Sequence, residues 1–151
     1  MASLKAWVKA ARPRTLPLAI TCVLIGAAIS LSPSNFSLDK LPDARFYIVL
    51  GLTLLTVIYL QVLANFANDY GDFIKGTDGP ERSDRAMASG EISKKEMKRA
   101  LVATSTKAFA VGSATVLFAL DFDLTKSALT LFFIALGCSG IYAAIRYTMG
   151  S

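Results

Sequence analysis

The stretch Gln61-Val-Leu-Ala-Asn65-Phe-Ala-Asn68-Asp69-Tyr-Gly-Asp72-Phe-Ile-Lys75-Gly-Thr-Asp78 decides how this chain is built, because here a long apolar helix turns polar along one side. It closes the run from Phe46 to Asn68, which carries no charged residue over 23 positions. A helix of that length, even tilted, crosses ~30 Å of hydrocarbon. At 100° per residue, Gln61, Asn65, Asn68 and Asp72 fall at roughly 0°, 40°, −20° and 20°, one narrow face, whereas Asp69 is turned about 100° from Asn68. Amides and carboxylates at such depth are costly unless paired, hydrated in a cavity or bound to a cation, so this face marks a functional site.

The rest of the chain repeats the apolar theme. Hydrophobic residues make up 54% of 151 positions, more than a soluble domain of this size ordinarily carries, and a bilayer is the expected solvent. Thr15 to Leu38 holds no charge, and its apolar core, Leu16 to Leu31, is just short of the ~20 residues of a usual span. With Lys5, Lys9, Arg12 and Arg14 ahead of it, a cleaved secretory signal is the alternative reading of this first stretch. Ser93-Lys-Lys-Glu96 has the spacing of a capping box, which places a helix start there. Continued to Leu120, that helix would be ~40 Å long, so its basic first turns stand outside the bilayer and Lys107 snorkels to the interface. Ser127 to Ile145 is again free of acids and bases. The expected fold is therefore all-α, a polytopic membrane helix bundle in one membrane domain. Its four transmembrane helices lie at about 16–34, 46–68, 101–120 and 127–146, with a motif loop over 69–99.

Charge decides orientation. The N-terminal segment has four Lys/Arg and the long loop seven (Lys75, Arg82, Arg85, Lys94, Lys95, Lys98, Arg99), against Lys40 and Arg45 in one short connection and Lys126 in the other. The positive-inside rule then puts the N-terminus, the motif loop and the C-terminus in the cytoplasm. The net charge of +5 does not point to nucleic acid, because the bases sit between apolar stretches rather than along one face with interleaved aromatics. There is no histidine, which excludes Ser-His-Asp and Cys-His catalysis, and Cys22 and Cys138 lie singly in apolar stretches, which excludes a zinc site.

What remains is oxygen chemistry. Asp72 and Asp78, with Asn68 one turn earlier, are hard donors suited to Mg²⁺, which keeps several waters and binds through one or two carboxylates plus substrate phosphates. Arg82 and Arg85 supply planar forks for phosphate oxygens, and Lys75 a point charge. The competing interpretation is a solvated loop in which seven acids and seven bases balance. An EF-hand is the weaker alternative, since residues 72–78 lack the alternating oxygen ligands of such a loop.

Asn68-Asp69-Tyr-Gly-Asp72, then Lys75-Gly-Thr-Asp78 and Asp84-Arg85-Ala-Met-Ala-Ser-Gly90, resemble the first aspartate-rich motif of the intramembrane aromatic prenyltransferases. Arg12-Pro-Arg14-Thr-Leu-Pro17 and Glu96-Met-Lys98-Arg99-Ala-Leu101 resemble the branch that acts on 1,4-dihydroxy-2-naphthoate in menaquinone biosynthesis, so the resemblance runs over nearly the whole chain. It implies Mg²⁺ and catalysis at Asn68, Asp72 and Asp78, with Asn65, Lys75, Arg82 and Arg85 binding substrate. It further implies a polyprenyl diphosphate donor, a dihydroxynaphthoate acceptor, and a place in the bilayer of a bacterial cytoplasmic (inner) membrane. Such enzymes have about nine helices crossing a ~30 Å core, of which this chain resembles the N-terminal half. Two departures follow. The family's second aspartate position is Gly76 here, so its role passes to Asp78, as in the naphthoate branch. The second acidic motif of the family has no counterpart, since Asp121 and Asp123 fall on the other side of the membrane; transfer by these residues alone is expected to be incomplete unless a homo-oligomer supplies the second cluster. The alternatives are a non-catalytic membrane binding protein or degenerate paralogue, and a small transporter using the polar face as an ion path.

Overall fold

A computed structural model describes residues 2–31, 42–76, 85–131 and 134–135. Helix α1, Leu4–Ala11, starts on Ser3, whose hydroxyl accepts the Ala6 N–H. It ends at Arg12, which takes a left-handed conformation (φ 49°, ψ 68°). The residue before a proline is pushed out of the helical region, and Pro13 follows; the left-handed conformation costs Arg12 about 1 kcal/mol. A single 3₁₀ turn, Pro13–Thr15, leads into α2, Leu16–Ser30, with Pro17 in its first turn, where a missing N–H is tolerated. The charge pattern alone gave no reason to expect α1.

Helix α3, Ala44–Lys75, is capped by the Asp43 carboxylate on the Phe46 N–H and stopped by Gly76 at φ 65°. It runs past the end of the apolar stretch, so the first half of the aspartate motif is helical. Helix α4, Lys94–Ala119, begins with the expected capping box: Ser93 accepts from Glu96, and the Glu96 carboxylate accepts the Ser93 N–H. Residues 124–131 and 134–135 are helical too; residues 132–133 and 136–146 of the expected fourth span lie outside the described residues. Among the described residues there is no strand. Three stretches are long and apolar enough to cross a membrane: Leu4–Ser30 taken through its break, Ala44–Lys75 and Lys94–Ala119. The described residues are all-helical, and these long apolar helices mark an integral membrane protein.

Helix α3 packs chiefly against α4, and α2 against α3. Midway along the α3–α4 seam, Thr56 and Thr115 share a hydroxyl hydrogen bond of 3.1 Å. Gly112 lies against the Thr56 methyl group there. Leu24, Ile25, Leu55, Leu60 and Phe109 stay exposed, as lipid-facing residues do, because hydrocarbon gives them no reason to hide. True burial is concentrated at one end, where Ala6, Ala10, Phe66, Ala86, Met87, Ile92 and Met97 form a core joining α1, α3, the 85–92 turn and α4. Burying side chains the size of Met87, Ile92 and Met97 contributes roughly 1.5–3 kcal/mol each, and Trp7 adds an edge-on contact to Phe66 at 5.6 Å. At the opposite end Arg45 donates to the carbonyls of Phe118 (2.8 Å) and Ala119 (3.2 Å), satisfying the last carbonyls of α4. The N-terminus, the end of α3 and the start of α4 thus meet at one end of an antiparallel pair.

Candidate functional site

The last three turns of α3 carry the polar face, and the structure divides its residues into two groups. The inner group holds the α1–α2 break. Asn65, only 4% exposed, donates from Nδ2 to the Ala11 carbonyl (2.8 Å) and to Thr15 Oγ1 (3.0 Å), and Gln61 donates to the same hydroxyl at 3.3 Å. Ala11 ends α1, so its carbonyl lacks a partner within the helix and Asn65 supplies one. One turn on, Asp69 is 2% exposed and ion-paired with the Arg12 guanidinium.

Asp69 was the acid set apart from the polar face by helical geometry, yet it is the buried one, and Asn68 is exposed. The enclosed side of α3 is turned toward Phe66 and Asp69 because α1 lies over it. The missed signal was electrostatic: a buried carboxylate needs a partner, and Arg12 stands at a proline-marked break that α1 brings over α3.

The outer group faces water. Asp72 is half-buried and its Oδ2 is ion-paired with Nη1 of Arg85, which brings together two residues expected at the site. Arg85 opens a tight turn closed by the Ser89 N–H on the Arg85 carbonyl (2.9 Å) and the Gly90 N–H on the Met87 carbonyl (3.1 Å). Gly90 sits at φ 73°, where a side chain would be strained. Ala86 and Met87 root the turn in the core, which fixes the Arg85 backbone. Lys75 is exposed at the last position of α3. Asp78 and Arg82 lie outside the described residues.

Asn68 and Asp72 therefore present an amide oxygen and a carboxylate on successive turns at the watery end of the helix. Hard oxygens of this kind suit a cation that retains water, so the donor set fits Mg²⁺ as part of a coordination shell. Among the described residues no three carboxylates or thiols gather into a closed cage. A second ion pair braces the rim: Lys9 Nζ meets Glu91 Oε1 at 2.6 Å, and Ser89 Oγ donates to the same oxygen at 3.0 Å. The Lys9 hydrogen bond, then that of Ser89, holds the Glu91 carboxyl below the usual carboxylate range. The Ala2 N–H donates to Glu96 Oε1 at 3.0 Å, tying the chain start to α4. An apolar hollow between α2 and α3, lined by Val23, Ala27, Phe46 and Leu50, belongs elsewhere. Phe46 is roughly 39 Å along α3 from Asp72 at ~1.5 Å per residue.

Long apolar helices carry an amide, a carboxylate and an arginine at one end, and by sequence the chain is a relative of the 1,4-dihydroxy-2-naphthoate prenyltransferases, which are intramembrane aromatic prenyltransferases. It is 40% identical over 97% of its length to "1,4-dihydroxy-2-naphthoate octaprenyltransferase" of Escherichia coli, covering 44% of that protein. The Haemophilus influenzae protein of the same name is 41% identical over 97% of this chain and 45% of its own. That of Mycobacterium tuberculosis is 41% identical over 54% of this chain. The chain spans less than half the length of these curated relatives. No protein-family model and no solved structure matches it.

Proposed function

We propose that this chain forms the donor-diphosphate part of a Mg²⁺-dependent prenyltransferase that moves a polyprenyl group to 1,4-dihydroxy-2-naphthoate in menaquinone biosynthesis. The observation that carries this reading is the outer end of α3, where Asp72 pairs with Arg85 and Asn68 lies exposed one turn earlier. The identity to naphthoate prenyltransferases over nearly the whole chain supports the choice of acceptor.

Asn68, Asp72 and Asp78 would hold the cation, which when bound neutralises the diphosphate and makes it a better leaving group. Arg85, with Arg82 and Lys75, grips phosphate oxygens and sets the donor's register. Asn65 acts beneath the site, fixing the helix break on which Arg12 and Asp69 rest. The apolar helices keep water from the allylic carbon as its C–O bond weakens, so the electron-rich ring is the available nucleophile. With the basic end inside, the site faces the cytoplasm of a bacterial inner membrane. The transporter alternative drew on the polar face as an ion path; Gln61 and Asn65, which would line it, are engaged by Thr15 and Ala11.

The test is binding of a radiolabelled polyprenyl diphosphate to membranes containing the protein, with Mg²⁺ or a chelator, in wild type and Asp72→Asn. Mg²⁺-dependent binding that the substitution removes is expected. Binding indifferent to both the metal and Asp72 would overturn the assignment.

A further inference from the structure

We infer that Arg85 occupies Asp72 while the site is empty and moves to the diphosphate when substrate arrives, so that cation and diphosphate bind far more tightly together than either binds alone. This rests on the proposed role of Asp72 and concerns how that site is regulated.

The two ion pairs along α3 differ in a way that separates scaffold from switch. Asp69 is 2% exposed and its partner Arg12 reaches in from a break clamped by Asn65 and Gln61. Asp72 is 31% exposed and Arg85 19%, so both are reached by water and by a ligand. The pair joins Asp72 Oδ2 to Arg85 Nη1. An arginine can trade such a contact for a phosphate oxygen by rotating its side chain, since its fork matches both anions.

What Arg85 cannot do is withdraw. Its backbone belongs to a turn closed by two hydrogen bonds and rooted by Ala86 and Met87, which are essentially fully buried. A divalent cation arriving alone at Asp72 must displace a guanidinium that stays nearby and repels it. A diphosphate arriving alone must draw Arg85 away from Asp72 and meet the negative charge of that carboxylate. When both arrive, the cation takes the carboxylate and the phosphate takes the guanidinium, and every charge keeps an opposite neighbour. Arg85 is thus a positioning residue whose contribution to metal affinity changes sign with the occupancy of the diphosphate site. Coupling of this kind is reciprocal and typically amounts to about 5–150-fold.

The experiment uses the whole chain in detergent or lipid nanodiscs, with Mn²⁺ as probe cation followed by electron paramagnetic resonance. Titrations run with and without inorganic diphosphate, each against a protein-free control that accounts for Mn²⁺ held by diphosphate in solution. In wild type, diphosphate should tighten Mn²⁺ binding on the order of tenfold or more. Arg85→Gln should bind Mn²⁺ alone on the order of tenfold more tightly than wild type and lose most of the enhancement. Arg85→Lys should restore part of it. The mirror variant, Asp72→Asn, should bind labelled diphosphate without metal more tightly than wild type does. Unchanged Mn²⁺ affinity in Arg85→Gln, with the enhancement intact, would overturn the exchange while leaving the metal site standing. Mn²⁺ binding that never depends on Asp72, with or without diphosphate, would remove the site itself and the exchange with it.

Discussion

Arg12 and Asp69 pair across the break between α1 and α2, the guanidinium 31% exposed and the carboxylate 2%. Removing one partner of a buried pair strands the other's charge and costs about 3–5 kcal/mol; the lower end applies here because Arg12 is partly wet. Arg12→Ala and Asp69→Asn should each lower the thermal midpoint of the purified chain by such an amount. The double variant should lose less than the two losses added. Strict additivity would mean that the two residues do not sense each other.

Asp72→Asn should behave in the opposite sense. The Asp72–Arg85 pair is only partly buried, so losing one partner should cost less than the about 3–5 kcal/mol of a fully buried pair. The thermal midpoint should fall less than in Asp69→Asn, while Mg²⁺-dependent diphosphate binding falls by at least about 10-fold, because a ligand of the cation is removed. A destabilisation as large as that of Asp69→Asn would contradict this division of labour.

Asn65→Leu keeps the volume of the side chain and removes both donors to Ala11 and Thr15. A buried carbonyl left unmade costs about 1–3 kcal/mol. The visible consequence should be local: faster proteolysis or amide exchange around residues 11–15, with α3 and α4 protected as before. Uniform loss of protection would show that the break is not an independent element.

In the membrane seam, a methyl added at Gly112 would meet Thr56 Cγ2 at 3.5 Å, ordinary contact. Gly112→Ala should therefore be tolerated, whereas Gly112→Leu overpacks the α3–α4 contact at a cost of about 1–3 kcal/mol. Unfolding in a graded denaturing detergent ranks the two, and equal stability would show that the helices do not pack here as described.

Acid should loosen α1. Lys9, and to a lesser extent Ser89, depress the Glu91 carboxyl, so its ionised form is favoured by folding. The stabilisation is complete above the unfolded Glu value of about 4.3 and disappears as pH falls through the lower folded value. Amide exchange in Leu4–Ala11, corrected for its intrinsic pH dependence, should rise below about pH 4 in wild type. In Lys9→Met that acid-induced rise should be smaller. An equal rise in both would assign the transition to another group.

Helix positions read well from sequence wherever one physical rule acted alone. The Ser93–Glu96 spacing fixed the start of α4, and the charge-free run announced α3, because capping and hydrocarbon thickness are local demands. That Asp72 and Arg85 lie together was not legible in their spacing of 13 residues; the turn that opens at Arg85 brings them into a pair. Nor was the burial of Asp69, since helical phase alone cannot say which side another element will cover; α1 decided that, and α1 is a short helix whose stability comes from packing on Met87, Ile92 and Met97. Asn65, expected to meet substrate, instead meets the backbone of α1's end, a partner that exists only once the break has formed.

The Arg12–Asp69 pair also sets an order of assembly. The partners are 57 residues apart in the chain, and a ribosome needs roughly 3–11 s to cover that distance at ~5–20 residues per second. For most of that interval α1 and α2 have been made, while the carboxylate that will neutralise Arg12 has yet to be synthesised. The guanidinium must wait among lipid headgroups, which is where a long cationic side chain can reach water from an apolar stem. Vectorial synthesis thus keeps the α1–α2 break provisional until the end of α3 emerges and locks it down.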